Sequence, residues 1–452
     1  MRRRAFAWLA LSSLALQAPV PAATRPRYGG TLTLQLVASF PDLDPGEALS
    51  DALLESKRDA IARLAFETLV GMNSSGDLEP QLATAWRVNG KRWRFTLRPK
   101  AVFHDGQPVT AASVVPSLQA GLKKRYGDVS VTGAGQSVTV QSESNLYDLA
   151  AELSLPRNAI CRKGDNGELI GTGPFRLEKW EPGHKAVFTA FEDHWAGRPY
   201  VDSVIVNLGP LPRQLTTNGA DIWDLPINGS RRVVPDGIRI WSSAPSELVA
   251  IAAPNLDPRI QQALALSIDR ASIVNVLAQH RGEIAGGLLP QWLTGYSFLF
   301  STASDPSRAK QLMASAKPAP LSLSYPADDA FARSVAERIS LNARDAGLNV
   351  QPTTVNGGNL QLKRVPLPCA DAALDLVEIA AAIGLPRRVN STDASRFEAL
   401  YQAEQQVLEE HKIIPLIYLP AVYGIGPRVH DWDASQNGRA NALHLENVWL
   451  SP

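Results

Sequence analysis

Leu321-Ser322-Leu323-Ser324-Tyr325 alternates apolar and polar side chains, the period-2 pattern of a strand with one buried face. Asp329 to Ala346 then carries apolar residues at helical spacing, and Gly347 closes the run. Leu348-Asn349-Val350-Gln351-Pro352 starts a second strand. Parallel strands cannot be joined by a tight turn; they need a crossover, usually a helix. Residues 321–355 therefore predict parallel strands in a mixed α/β lobe.

On the N-terminal side, Gly30 to Val37 alternates like a strand and a Pro/Asp/Gly-rich loop follows at Pro41 to Gly46. Asp59 to Val70 has the apolar spacing of a helix. Val88-Asn89-Gly90-Lys91 reads as a hairpin turn leading into the strand Trp93-Arg94-Phe95-Thr96-Leu97-Arg98. Thr110 to Ala120 reads as a capped helix, short or kinked because of Pro116. Val129 to Gln141 and Ala186 to Phe191 read as strands. From Pro258 onward the pattern turns helical, at Gln261 to Ser267, Ser272 to Gln279, Pro306 to Ala316 and Ala394 to His411; the apolar stretch Ile413 to Ala421 follows.

The chain has 452 residues, 45% hydrophobic and 20% charged, which excludes a disordered or fibrous protein and gives a soft prior of three domains or lobes. Its 45 basic and 44 acidic residues leave a formal charge of +1, with no basic stripe, so no nucleic-acid partner is expected. Arg2, Arg3 and Arg4, the apolar run Ala5 to Leu16, Pro19 and Pro21, and Ala22-Ala23 have the parts of an export signal over residues 1–23. The run is shorter than the roughly 20 apolar residues that a spanning helix needs. No Cys stands at the cleavage site for a lipid anchor, so a soluble periplasmic protein is expected. Cys161 and Cys369, the two cysteines of the chain, could pair in an oxidising compartment or remain two separate thiols.

Catalytic motifs are absent: the sequence holds no His-Glu-x-x-His and no Gly-x-Ser-x-Gly. Gly171-Thr172-Gly173-Pro174 lacks the Lys of a phosphate loop, and Pro174 removes a backbone donor. His104-Asp105-Gly106 suits a turn better than a catalytic pair, since no third ligand or nucleophile is spaced with it. The seven histidines are scattered. No enzyme activity, catalytic residue, metal site or cofactor is expected.

Several landmarks, in order along the chain, carry a resemblance. They are Gly76-Asp77-Leu78-Glu79-Pro80-Gln81-Leu82-Ala83 with Trp86, and Trp93 to Arg98 running into Val102-Phe103-His104-Asp105-Gly106-Gln107-Pro108. Gly171-Thr172-Gly173-Pro174-Phe175 follows, with Trp180, Pro182-Gly183 and Trp195-Ala196-Gly197-Arg198-Pro199. Then come Asp257-Pro258-Arg259 with Ser267-Ile268-Asp269-Arg270, Asp305 to Leu312, and Ala403-Glu404-Gln405 leading to Ile414-Pro415-Leu416. Together they resemble the large bacterial extracellular solute-binding proteins that serve oligopeptide, dipeptide and nickel importers, of which this chain would be a shortened, divergent member.

The resemblance implies a two-lobed periplasmic-binding-protein fold, class II-like, with mixed sheets in each lobe, an extra inserted domain and a hinge of two crossing strands. Lobe I would hold residues 24–50, about 165–245 and 428–452; the inserted domain 51–164; lobe II 246–427. A monomer would trap a small peptide or similar solute between its lobes and dock on the permease of an ABC-type importer. Peptide-binding relatives hold the ligand's amine on an Asp in a motif like Asp-Tyr-Pro-Asp-Pro. The comparable stretch here is Pro366-Leu367-Pro368-Cys369-Ala370-Asp371-Ala372, without the aromatics, and Asp371 is the best counterpart, Asp375 a poor second. Asp371 equally suits a helix N-cap before Ala372. The family layout adds Glu47, Trp223, Trp292 and Tyr296 as further ligand-binding candidates, each also compatible with ordinary packing. The missing aromatics leave a second reading open: a periplasmic sensor or scaffold derived from the family that no longer serves import.

Overall fold

A computed structural model describes residues 25–73, 75–143, 149–216, 219–227, 233–314, 319–384, 396–409, 413–432 and 443–452. The export signal read over 1–23 lies outside the described residues. The strand–helix–strand unit is present: Leu321–Ser324 and Val350–Thr353 run parallel, Leu321 opposite Val350 and Ser324 opposite Thr353. The helix between them, Ala330–Asp345, starts at Asp329, whose carboxylate accepts the Ala332 N–H at 2.9 Å. It buries Phe331, Val335 and Ile339, each stabilising the fold by about 1.5–3 kcal/mol.

These strands belong to one large sheet. Its order is Phe175–Glu181, Lys185–Ala190, Ser203–Leu208, Thr31–Leu36, Ile222–Asp224, Ile413–Ile425, Arg239–Ala252, Leu360–Pro366, Leu321–Ser324 and Val350–Thr353, with Glu283–Ile284 added on Ile413–Ile425. Thr31–Leu36 is parallel to both of its neighbours. Two strands are far longer than the rest: Arg239–Ala252 has 14 residues and Ile413–Ile425 has 13. They pair antiparallel along their length, but the register shifts between Ser242 and Pro245 and again between Pro245 and Glu247. Pro245 faces Pro420 there, so neither residue can donate to the ladder at that line.

The pair of long strands joins two buried clusters. One holds Leu248 to Ala253, Phe331, Val335, Ile339 and Ile413 to Leu419; the other holds Leu32, Leu34, Leu36, Phe175, Phe188, Val204, Tyr423 and Ile425. A third cluster lies under the four-stranded sheet Ala83–Asn89, Arg92–Leu97, Ser137–Ser142 and Val129–Ala134, packed by helix Ala111–Tyr126 through Val114, Leu118 and Leu122. Residues 60–66, read by sequence as part of the inserted domain, contribute Ala60, Ile61, Leu64 and Phe66 to the second cluster.

Two local readings change. Helix Ala111–Tyr126 is neither short nor broken at Pro116: a reciprocal Thr110–Ser113 capping box starts it, and the exposed Pro116 lies away from the packed face. The helix expected over 59–70 runs instead over Ala52–Ala62, capped by the Asp51 carboxylate on the Leu54 N–H. Beyond it the backbone is taken by another segment, since the Leu64 and Ala65 carbonyls accept from Phe175 and Gly173. The glycines of Gly171-Thr172-Gly173 serve that approach. A Cβ at Gly171 would lie 2.0 Å from the Ala65 oxygen, and one at Gly173 would lie 2.6 Å from that of Leu64.

Candidate functional site

A cleft of about 850 Å³ lies where helix Ala52–Ala62 faces strand Leu360–Pro366. That volume is in the range of small-molecule sites. One wall is the segment 48–51 with the helix, Arg63 and Leu155-Pro156-Arg157; the other is Tyr325 to Asp329, the strand and the C-terminal turns of helix Ala372–Ala382. The helix reaches this wall because Asp51 starts it there, and Lys57 on its other side anchors it, with Nζ 2.7 Å from the Asp224 carboxylate.

Most charges of the cleft are already engaged. Arg364 lies between Glu247, at 2.5 and 3.1 Å, and Asp329, at 2.9 Å. Burial depresses its pKa, but the two carboxylates outweigh that and hold it above the ordinary value. Across the cleft, Arg157 binds Glu152 at 2.7 and 2.9 Å and reaches Glu378 of helix Ala372–Ala382 at 3.1 Å. Arg125 joins the same two carboxylates. Glu378 thus bridges the third cluster's arginines to the wall formed by strand Leu360–Pro366. Asp59 takes Arg58 at 2.8 and 3.1 Å, and burial raises its pKa to about 6. Arg63 differs: Nη2 donates to the Ser154 carbonyl at 3.3 Å, and burial lowers its pKa, opposed in part by Asp59.

The sequence-based candidates fall elsewhere. Asp371 caps helix Ala372–Ala382, its carboxylate accepting the Leu374 N–H at 2.9 Å. Asp375 is fully buried and accepts from the backbone N–H and thiol of Cys369, at 3.0 and 3.3 Å; burial raises both groups well above their ordinary pKa values. Trp223 is 2% exposed and packs in the large apolar cluster. The Trp292 indole donates to the Pro245 carbonyl at 2.7 Å. The Tyr296 hydroxyl donates to the buried Glu404 at 2.9 Å, whose carboxylate also accepts the Leu288 and Leu289 N–H groups. Glu47 turns its side chain to solvent, 4.0 Å from Lys124, and its carbonyl accepts from Arg58. None of these six borders the cleft, although Ala48 to Asp51, next to Glu47, does. Cys161 and Cys369 are unpaired by a disulfide. Among the described residues no group of three or more His, Cys, Asp or Glu could hold a metal ion, and no helix is long and apolar enough to cross a membrane.

His104 confirms its structural reading. Its ring is 3.0 Å from the Gly173 carbonyl and edge-on to Phe191, and burial lowers its pKa to about 4. Arg63, Arg157, Lys363, Arg364 and Glu378, which line the cleft, were not legible as a group: they come from four segments distant in sequence. The signal available was Lys363-Arg364, two adjacent cations in the middle of the strand Leu360–Pro366.

The family model described as "Bacterial extracellular solute-binding proteins, family 5 Middle" matches residues 77–366. A nickel-binding periplasmic protein of Escherichia coli (strain K12) is 26% identical over 343 residues, 64% of this chain and 65% of the relative. The periplasmic oligopeptide-binding protein OppA of the same organism is 23% identical over 501 aligned residues, 91% of each chain. Among solved structures, NikA of Staphylococcus aureus in complex with Ni(L-His)2 superposes with a TM-score of 0.79 at 17% identity, covering 93% of this chain and 100% of that one.

Proposed function

Because the chain belongs to the bacterial extracellular solute-binding proteins of family 5, we propose that it is an exported periplasmic receptor, without enzyme activity, that captures a small solute between its lobes and delivers it to an ABC-type importer. The relatives are themselves binding proteins. The observation that carries the reading is the cleft of about 850 Å³ between two walls, with the long strands Arg239–Ala252 and Ile413–Ile425 running between the two buried clusters and their register shifting at the Pro245–Pro420 line. Receptors of this build work by hinge closure, in which a ligand stabilises the closed state through contacts with both lobes. The inward charges support a polar solute over an apolar one.

The test is thermal unfolding of the exported protein against di- to pentapeptides, nickel chelates, haem and oligosaccharides. A bound ligand at 100 times its dissociation constant adds about 2.7 kcal/mol to native stability. A saturable shift with one class, accompanied by compaction in solution scattering, supports the receptor. Absence of any shift in protein freed of copurified ligand would instead favour a sensor or scaffold.

A further inference from the structure

We propose, resting on the receptor reading above, that Trp292 and Ser243 are positioning residues for solute capture: their side chains set the angle between the two walls of the cleft, at the seam where the long strands change register. The backbone ladder is interrupted there. Pro245 and Pro420 face each other without a donor between them, and Ser243 and Ala244 stand opposite the single residue Ala421, a bulge. Packing is interrupted as well. A second cavity, of about 70 Å³, lies against Ser246 and Pro420 to Tyr423, beside the Lys57–Asp224 pair, with room for about two waters at roughly 30 Å³ each. A close-packed interior resists bending, and free volume at the seam relieves that resistance.

Two side chains hold the backbone where the ladder does not. The Ala421 N–H donates to the Ser243 hydroxyl oxygen at 2.9 Å, and that hydroxyl donates to the Ala244 carbonyl at 2.6 Å. The Trp292 indole N–H donates to the Pro245 carbonyl at 2.7 Å. The bonds lie on either side of the seam, since Trp292 packs on the cluster of Leu248 to Ala253 and Ala421 on that of Leu32 and Tyr423. Trp292 is itself firmly mounted. Its short helix, Gln291–Thr294, follows Leu288 and Leu289, whose N–H groups donate to the buried Glu404, and precedes Tyr296, whose hydroxyl donates to the same carboxylate. One braced loop therefore ties the first cluster to a single backbone carbonyl of the seam. Bending at Pro245 turns that carbonyl and carries Ala421 away from Ser243, so both bonds belong to the angle seen here and are given up on opening. Trp292 and Tyr296 do not line the cleft; they act on its closure.

The experiment uses the full exported chain, stripped of bound ligand by unfolding and refolding, and reads solution scattering beside the melting temperature. Trp292→Phe keeps the ring packing and removes the donor; Ser243→Ala removes the hydroxyl. Each should shift the closed-to-open ratio toward open by about three- to tenfold, the worth of one hydrogen bond, and expand the ligand-free chain. Ser243→Thr, which keeps the hydroxyl, should scatter as the wild type does. So should Trp180→Phe, which removes the same kind of bond, indole to the Pro41 carbonyl at 3.2 Å, on the edge strand Phe175–Glu181. Ser243→Ala stands as the test if Trp292→Phe does not fold. Lowered melting temperatures with wild-type scattering from Trp292→Phe and Ser243→Ala, while Glu378→Gln at the bridge between the walls expands, overturn the proposal and leave a receptor whose walls move. Wild-type scattering from all three counts against moving walls, and so against the receptor reading itself, and the proposal falls with it.

Discussion

Glu378→Gln should open the ligand-free protein. In the structure one Glu378 oxygen accepts from both Arg125 and Arg157, and these contacts bridge the walls of the cleft without any solute. The charged side chains are 12%, 26% and 16% exposed for Arg125, Arg157 and Glu378, so the pairs are only partly desolvated. A hydrogen bond to a charged group contributes about 1.5–3 kcal/mol when buried. Two are weakened here, but both arginines keep Glu152, Gln keeps a neutral acceptor, and the opened state regains water; we take about 1–2 kcal/mol as the net loss. Since 1.4 kcal/mol is a factor of ten, the closed population should fall about tenfold relative to open. Small-angle scattering measures it: a compact chain of this size has a radius of gyration of about 22 Å, and the variant should exceed the wild type. Adding ligand should restore compaction, with a weaker apparent affinity. Superimposable scattering curves for the two ligand-free proteins would refute this account of the bridge.

Asp371→Ala should lose about 1 kcal/mol of stability as a missing helix cap, with ligand affinity unchanged, as denaturant unfolding and titration calorimetry can show. Gly171→Ala should destabilise by several kcal/mol or prevent folding, because its Cβ would enter the Ala65 carbonyl; soluble yield and melting temperature check this. Asp59, with its folded pKa raised from 3.8 to about 6, contributes stability that is full below about pH 4 and lost as pH rises through 6; Asp59→Asn should remove that slope. His104 has the opposite sign. Its folded pKa is lowered from 6.5 to about 4, so its contribution is present above pH 6.5 and lost as pH falls toward 4; His104→Gln should flatten unfolding curves over that window.

The fold was more legible than the site. Alternation and helical spacing are local, so Leu321–Ser324, Ala330–Asp345 and the Asn89-Gly90 hairpin could be read directly. The strand Arg239–Ala252 was not read at all. Its first half is part-exposed and carries Pro245, and its second half is buried on both sides, so no period-2 pattern spans it. Helix Ala52–Ala62 was placed too late because its polar side, including Lys57 and Asp59, faces partners rather than solvent. The site failed for a different reason. Trp223, Trp292 and Tyr296 are the residue types of a ligand platform, yet each satisfies core or hinge packing. Arg63, Arg157 and Lys363 look in sequence like ordinary surface cations, and the cleft they share exists only once the walls meet.

The seam strands also constrain how the molecule is made. Ile222–Asp224 pairs with Thr31–Leu36 on one side and waits for residues 423–425 on the other, while Leu248 to Ala252 waits for residues 413–418. A chain emerging from its N-terminus therefore carries two open, apolar sheet edges for as long as residues 253–412 are still to come. Neither lobe can be finished early, and neither can be cut free as a stable fragment by dividing the sequence. The last long strand, Ile413–Ile425, closes both halves at once.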